Sequence, residues 1–206
     1  MTFPGVHVLK ICGITNQEDA SAAIDAGATA IGFNFYPGSP RYLAPEKAAG
    51  IESPPGVRRV GVFVNETPAR MEEIARIAAL DVAQLHGDET PEGYPRAIAV
   101  WKAARVAADF SFAVYRDAPA EALLLDGPAG DLYGGSGKAF DWRRAAESPK
   151  AVIVAGGLDA SNVARAIELA HPWGVDACSR IESEPGKKDH RKMREFLRAA
   201  GAALRS

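Results

Sequence analysis

Short apolar segments rich in Val, Ile and Leu alternate with longer, more polar segments along the whole chain. The apolar segments predict strands at HVLKICG (7–13), AIGFNF (30–35), RVGVFV (59–64), VAQLHG (82–87), AIAVWKA (97–103), ALLLDG (122–127), AVIVAGG (151–157) and GVDACS (174–179). Because most of these segments are continuously apolar, we expect strands buried on both faces, as in a parallel sheet covered by helices.

Helical periodicity marks several of the segments between the predicted strands. Apolar residues recur at i, i+3, i+4 and i+7 in three sets: Met71, Ile74, Ala75 and Ala78; Val163, Ala166, Ile167 and Ala170; and Met193, Phe196, Leu197 and Ala200. Thr15 and Glu18 have the spacing of a capping box, and Thr67-Pro68 and Thr90-Pro91 each place an N-cap residue before a proline. Gly27 is a predicted C-terminal cap.

Eight strands, each expected to be followed by a helix, predict the fold. In a chain of 206 residues they favour an α/β protein built as a single (βα)8 TIM barrel, with eight parallel strands surrounded by helices. A doubly wound sheet would more often use fewer strands. No linker rich in Pro, Gly or Ser divides the chain, so we expect residues 1–206 to form one barrel domain.

Composition and charge argue against some classes of binding partner. Hydrophobic residues at 47% and charged residues at 24% are typical of a globular protein with a sizeable core. The formal net charge is -2 and no long basic stripe is present, so we expect no nucleic-acid partner and interpret KKDHRKMR (187–194) as a solvated helix face. No segment approaches the about 20 apolar residues of a membrane span, and the N-terminus has no signal-peptide pattern, so we expect no membrane association and a cytoplasmic location.

Active sites of (βα)8 barrels lie at the carboxyl ends of the strands, and here these ends carry polar residues. Among them are Cys12, Arg41, Gln84, His86, Asp126, Asp176, Cys178 and Ser179. We therefore expect these side chains to gather at one rim of the barrel.

Cys12 and Asp126 could form a base and an acid on opposite sides of the barrel mouth. Lys10 lies on the same side of the first strand as Cys12 and would lower the pKa of its thiol, while desolvation after the run ALLL would keep Asp126 protonated. Simpler interpretations stay open, because a buried cysteine is often inert packing and an aspartate before glycine often caps a turn. Lys10 could equally pair with a carboxylate in a lower layer of the barrel.

Of two glycine-rich segments, one is a candidate anion site and the other is not. In AGGLDASNV (155–163), the backbone N–H groups of Gly156 and Gly157 can approach an anion at a helix entrance, although a tight turn alone would also explain them. DLYGGSGKAF (131–140) is not a P-loop, because Leu132 and Ala139 stand where that motif requires Gly and Ser or Thr. We interpret it as a mobile loop that closes over the site, with Asp141-Trp142 beginning the next helix.

Eight segments spread over nearly the whole chain share the pattern of one enzyme family. They are KICGIT (10–15), GFNFYPGSPRY (32–42), VGVFVN (60–65), QLHGDE (84–89), LLLDG (123–127), GGSGKAFDW (134–142), AGGLDASNV (155–163) and GVDACS to PGKKD (174–189). In order and spacing they resemble the phosphoribosylanthranilate isomerases, small (βα)8-barrel enzymes of tryptophan biosynthesis.

The resemblance implies a reaction and a set of site residues. The reaction is an Amadori rearrangement of N-(5-phosphoribosyl)anthranilate, an aminoaldose, to 1-(2-carboxyphenylamino)-1-deoxyribulose 5-phosphate, with no cofactor and no metal. Cys12 would be the general base, Asp126 the general acid and Arg41 a contact to the anthranilate carboxylate. The phosphate would be held by Gly156, Gly157 and Ser179, with Asp176 near the sugar hydroxyls and with Gln84 and His86 touching the substrate or supporting the rim.

One stretch departs from the family pattern. Members usually carry two serines and a glycine after the aspartate of strand eight, where this chain has Asp176-Ala177-Cys178-Ser179-Arg180. If that glycine has a positive φ, Arg180 would be strained there. We hypothesise that Arg180 compensates by adding charge to the phosphate site.

Two other functions stay open at this point. One is another sugar-phosphate aldose-ketose isomerase on the same barrel, such as the histidine-pathway enzyme, which resembles a duplicated half-barrel with two aspartates; here the first strand ends in Cys12. The other is a non-catalytic barrel that binds a phosphorylated metabolite, which would need neither Cys12 nor Asp126. In each case a small phosphorylated molecule is the expected partner, with a monomer favoured and a homodimer left open.

Overall fold

Eight parallel strands form a closed barrel in which each strand pairs with the next and the eighth pairs with the first. The computed structural model describes residues 8–107, 109–127 and 141–205. The barrel strands are β1 (Val8–Cys12), β2 (Ala30–Asn34), β3 (Arg58–Phe63), β4 (Val82–Leu85), β5 (Ala99–Arg105), β6 (Ala122–Asp126), β7 (Ala151–Val154) and β8 (Gly174–Ala177). This confirms the predicted fold class, with β5 beginning two residues later than its apolar segment.

Helices surround the barrel, and a small hairpin follows β8. The α-helices are α1 (Gln17–Asp25), α2 (Pro45–Ala49), α3 (Pro68–Ile77), α4 (Val163–Ala170) and α5 (His190–Ala203). Short 3-10 helices occupy Pro91–Gly93, Phe112–Tyr115, Trp142–Glu147 and Ser179–Ile181. Strands β9 (Glu182–Glu184) and β10 (Lys187–Lys188) pair antiparallel between β8 and α5. Within the described residues, no helix has the length and apolar character needed to cross a membrane.

The connections after β4, β5 and β6 differ from the prediction that a helix follows every strand. In the residues that the structure describes there, only 3-10 helices are found. Between β4 and β5 the reason lies in Pro91, Gly93 and Pro95, because proline lacks the backbone donor that a helix interior needs and glycine weakens helices.

The helix caps in the structure can be compared with those predicted from the sequence. The prediction of a capping box at Thr15 was wrong: Asn16 is the N-cap of α1 and accepts a hydrogen bond from the Asp19 N–H at 2.8 Å. Both residue types can cap, but the Thr15 hydroxyl instead donates to the Gly186 carbonyl at 2.5 Å. Thr67 caps α3 as expected, and Gly27 follows α1 with a φ of 100°.

Alternation along the strands separates the barrel interior from the layer under the helices. On β1, Val8 belongs to the inner cluster with Trp101, and Ile11 belongs to the outer cluster that packs against the helices. Because side chains alternate along a strand, Lys10 and Cys12 share the inward side of β1 with Val8. Along the inward side of β1, an apolar side chain (Val8) is therefore followed by a charged one (Lys10) and then by a thiol (Cys12).

The segment predicted to close over the site, residues 131–140, lies outside the described residues. The helix expected after it begins as predicted, because the Asp141 carboxylate caps the 3-10 helix Trp142–Glu147 by accepting from the Arg143 N–H.

Candidate active site

A cavity of about 460 Å³ opens where the barrel strands end. Every residue predicted for the site from the sequence lines it: Cys12, Arg41, Gln84, His86, Asp126, Gly156, Gly157, Asp176, Ser179 and Arg180. The fold thus brings residues from across the chain to one rim.

Cys12 is the last residue of β1 and is buried, with 9% of its surface exposed. Its neighbour on β2 is Gly32, where an added Cβ would lie 3.0 Å from both the Cys12 Sγ and the Lys10 Nζ. The neighbouring Cys178 and the Lys10 ammonium hold the pKa of the Cys12 thiol well below its ordinary range, against the effect of burial. These neighbours favour the thiolate form of Cys12.

Lys10 forms a buried ion pair in the layer below Cys12. Its Nζ lies 2.9 Å from the Asp176 Oδ1, and the two residues are paired in register on β1 and β8. Burial opposes the ammonium, but Asp176 and Cys12 raise the pKa of Lys10 above its ordinary value. Burial also raises the pKa of Asp176 to about 7, although Lys10 opposes that rise. Both interpretations of Lys10 hold together: it pairs with a carboxylate and lies beside the thiol.

Asp126 ends β6 and is buried at the cavity wall, next to His86. The His86 Nε2 lies 3.8 Å from the Asp126 Oδ2, and the His86 Nδ1 lies 3.2 Å from the Gln84 Nε2. Burial lowers the pKa of His86 to about 4, so its imidazole is neutral near pH 7. The Gln84 Oε1 is buried without a hydrogen-bond partner in the part of the chain that the structure describes.

Arg41 is fixed by a carboxylate that was not predicted from the sequence. Its Nε and Nη2 donate to the two carboxylate oxygens of Glu182, at 2.8 Å and 2.6 Å. The Lys188 Nζ lies 2.8 Å from the Glu182 Oε1 and 3.9 Å from the Cys178 Sγ. Glu182 thus forms ion pairs with both Arg41 and Lys188 at the edge of the cavity.

The interpretation of residues 187–194 as a solvated helix face was partly wrong. Lys188 belongs to β10 and is buried, and α5 begins only at His190. The available signal was the position of Lys188 inside PGKKD, a segment matched by the family pattern. Cys178 and Glu182 lie in or beside matched segments too, but nothing in the local sequence indicates their partners.

The turn after β7 contains two consecutive glycines with a left-handed backbone conformation. Gly156 and Gly157 have φ values of 83° and 64°, a region that favours glycine. A side chain at Gly156 would also collide with the Asp126 carboxylate and the Gly127 N–H. Ser179 begins the 3-10 helix that follows β8 and faces the same cavity.

Arg180 is not strained as hypothesised. Among the described residues other than glycine, positive φ occurs at Asn65, Ala79 and His171. Arg180 lies in the 3-10 helix Ser179–Ile181, and its Nε is 3.4 Å from the Asp159 Oδ2 and 3.3 Å from the Gly157 carbonyl oxygen. Its guanidinium therefore lies beside the glycine turn without a backbone penalty.

The fold and the site together define a (βα)8-barrel enzyme equipped for proton transfer on a small anionic substrate. The sequence model of the N-(5'phosphoribosyl)anthranilate (PRA) isomerase family matches residues 9–199. An N-(5'-phosphoribosyl)anthranilate isomerase of Solibacter usitatus is 73% identical over 197 residues, covering 96% of this chain and 98% of the relative. The chain belongs to the phosphoribosylanthranilate isomerase family.

Solved structures agree with this assignment. A phosphoribosyl anthranilate isomerase in complex with reduced 1-(o-carboxyphenylamino)-1-deoxyribulose 5-phosphate is 37% identical, with a TM-score of 0.82 and coverage of 96% of this chain and 100% of the other. Monomers generated from the dimeric isomerase of Thermotoga maritima are 36% identical, with a TM-score of 0.83 and the same coverage. The chain is therefore an isomerase of tryptophan biosynthesis that catalyses the Amadori rearrangement of N-(5-phosphoribosyl)anthranilate.

Proposed function

We propose that Cys12 and Asp126 divide the proton transfers of this rearrangement between them. Asp126 protonates the furanose ring oxygen, and the ring opens to an iminium ion. Cys12 then removes the proton on C2, which gives an enolamine that tautomerises to the ketone. Each general acid or base step is worth about 10²- to 10⁴-fold in rate.

The observation that carries this proposal is the placement of the two groups. Both end a barrel strand, both are buried, and both line the same cavity. The cation beside Cys12 favours a thiolate, as a base requires. Asp126 ends β6, on a different part of the barrel rim from Cys12.

Arg41 is proposed to bind the anthranilate carboxylate. Glu182 accepts hydrogen bonds from the Arg41 Nε and from one N–H group of the Arg41 Nη2. A guanidinium carries five N–H donors in one plane, so the Nη1 donors remain for a second carboxylate. Glu182 would then orient the guanidinium before the substrate binds.

The phosphate is proposed to bind at the glycine turn, with Gly156, Gly157 and Ser179 as donors and Arg180 as an added positive charge. Replacing Arg180 by Ala should then raise KM and leave kcat close to that of the wild type, because the phosphate does not take part in the proton transfers. A KM like that of the wild type would exclude Arg180 from phosphate binding.

The polar groups deeper in the cavity are proposed to bind the sugar portion. Lys10 occupies the Asp176 Oδ1, which leaves Oδ2 to accept from a sugar hydroxyl. The Gln84 Oε1 and the neutral His86 are further hydrogen-bonding groups on the same wall. We further propose that residues 1–206 act as one catalytic domain, as a monomer in the cytoplasm; light scattering would settle the oligomeric state.

Turnover of N-(5-phosphoribosyl)anthranilate, followed by the loss of its fluorescence, tests the proposed roles. Cys12→Ala and Asp126→Ala should each lose most of kcat, whereas Asp25→Asn, an exposed carboxylate on α1, should behave like the wild type. Full activity in either cavity variant would remove that residue from the mechanism.

A further inference from the structure

Gln84 and His86 lie two residues apart at the end of β4, and both line the cavity. The Gln84 Nε2 lies 3.2 Å from the His86 Nδ1, within hydrogen-bond distance. The other ring nitrogen, Nε2, lies 3.8 Å from the Asp126 Oδ2, while the Asp126 Oδ1 faces Gly156, where an added Cβ would collide with it. The imidazole thus lies between an amide and a carboxylate.

The chain on both sides of His86 is held in place. The Lys102 Nζ donates to the Leu85 carbonyl oxygen at 3.2 Å and to the Gly87 carbonyl oxygen at 2.6 Å. The His86 N–H donates to the Phe63 carbonyl oxygen at 2.8 Å. These three hydrogen bonds fix the backbone around His86, so its imidazole has a defined place on the rim.

The imidazole is neutral near pH 7, so one ring nitrogen carries a proton and the other accepts. The charged and titratable groups that face it are Lys10 and Cys12 on β1, Lys102 and Arg105 on β5, and Asp126 on β6. Burial and the three cations lower the pKa of His86 to about 4, although Cys12 opposes this effect. The hydrogen bonds of the two nitrogens therefore decide where the single proton lies.

The Gln84 amide indicates which nitrogen carries that proton. An amide nitrogen can only donate, so the His86 Nδ1 accepts and the ring proton lies on Nε2. The Gln84 Oε1 is buried and, within the described ranges, has no hydrogen-bond partner. The reverse amide orientation would place two N–H donors there in exchange for one acceptor, and each buried donor without a partner costs free energy.

We propose that His86 is a positioning residue for the acid: Gln84 keeps the ring proton on Nε2, and this N–H group donates to the carboxylate that forms when Asp126 gives its proton to the substrate. The inference rests on the proposed role of Asp126 as the acid. A distance of 3.8 Å is longer than a hydrogen bond, and contacts of this kind in active sites often shorten when the substrate binds. The opposite tautomer would point a lone pair at that carboxylate, which would disfavour it.

The wild-type chain gives the first test. Two-bond ¹H–¹⁵N correlation spectra of ¹⁵N-labelled protein at pH 7 show which ring nitrogen is protonated, because the unprotonated nitrogen of a neutral imidazole resonates far downfield of the protonated one. The His86 signals are identified by their loss in His86→Gln. We expect the proton on Nε2, and a proton on Nδ1 would overturn the inference.

Two substitutions separate a donor from simple packing. His86→Gln can place an amide N–H where the imidazole Nε2 lies, whereas His86→Met has a similar length and no donor. We expect kcat to fall about tenfold in His86→Met, which loses a hydrogen bond to a charged group, and to stay within about threefold of the wild type in His86→Gln. Equal kcat values in the two variants would overturn the inference.

A double-mutant cycle with Asp126→Asn shows whether His86 acts through the acid. The carboxylate is absent in that background, so we expect His86→Met to lower kcat there by less than about twofold. The same fold-loss in both backgrounds would mean that His86 contacts the substrate or only supports the fold, and would overturn the inference.

The cycle also separates this inference from the proposed function. If Asp126→Asn is as active as the wild type, the proposed role of Asp126 fails, and this inference fails with it. If Asp126→Asn loses most of kcat and the effects of the two substitutions multiply, only this inference fails.

Discussion

Acidification should destabilise the protein through His86. Its imidazole lies at the cavity wall with only 12% of the side chain exposed, and this partial burial lowers its pKa to about 4 from an ordinary value of 6.5. In the unfolded chain the imidazole is exposed and binds a proton below about pH 6.5. The folded state binds that proton only near pH 4, so the contribution of His86 to stability is complete above pH 6.5 and is lost as the pH falls toward 4.

The size of the effect follows from the difference between the folded and unfolded pKa values of His86. Each pH unit between those two values changes the free energy of unfolding by about 1.4 kcal/mol. The loss of stability between pH 6.5 and pH 5 is therefore about 2 kcal/mol. Asp176 acts in the opposite direction over this range because burial raises its pKa to about 7. The contribution of His86 must therefore be read as a difference between the wild type and a variant.

Urea unfolding at pH 7 and pH 5 measures that difference. We expect His86→Asn to lose about 2 kcal/mol less than the wild type between the two pH values. His171→Asn is the matched control: His171 is exposed and has a φ of 43°, a conformation that asparagine adopts readily, and it should lose as much as the wild type. An identical loss in His86→Asn and the wild type would refute the neutral imidazole.

Three further predictions concern the surroundings of the cavity. Lys10→Met removes the cation beside Cys12, so the acid limb of kcat/KM should move to higher pH; an unmoved limb would show that Lys10 does not affect the base. Gly156→Ala forces a side chain onto a φ of 83° and against Asp126, and stopped-flow turnover should show a lower kcat with the fold intact by circular dichroism. Glu182→Gln leaves the buried Lys188 without a counter-ion, which should lower the free energy of unfolding in urea by about 3–5 kcal/mol; an unchanged value would mean that the pair adds nothing.

The strands and the barrel could be predicted because each relies on a local pattern. A buried parallel strand is apolar on both faces, and alternation then places Lys10 and Cys12 on one side of β1. In the described residues after β4 to β6, the absence of α-helices could not be predicted in the same way, because those polar segments are long enough to hold helices and only scattered prolines and glycines argue against them. The choice between Thr15 and Asn16 as a cap depended on Gly186, far away in sequence.

The hydrogen-bond and ion-pair partners of the site residues could not be predicted from the sequence. Arg41 and Glu182 are separated by 141 positions, and their bidentate pair exists only because the barrel closes. The ion pair between Lys10 and Asp176 depends in the same way on the register of β1 with β8. The sequence shows which residues end the strands. It does not show which of their side chains are in contact, because those contacts form only when the barrel closes.

The assignment of Cys12 as base and Asp126 as acid is tested most directly with substrate deuterated at C2. Cys12→Ser weakens the base, so removal of the C2 proton should limit the rate and a primary isotope effect on kcat should appear. Asp126→Asn weakens the acid, so ring opening should limit the rate and the isotope effect should vanish. The reverse pattern, or equal isotope effects in the two variants, would contradict the account.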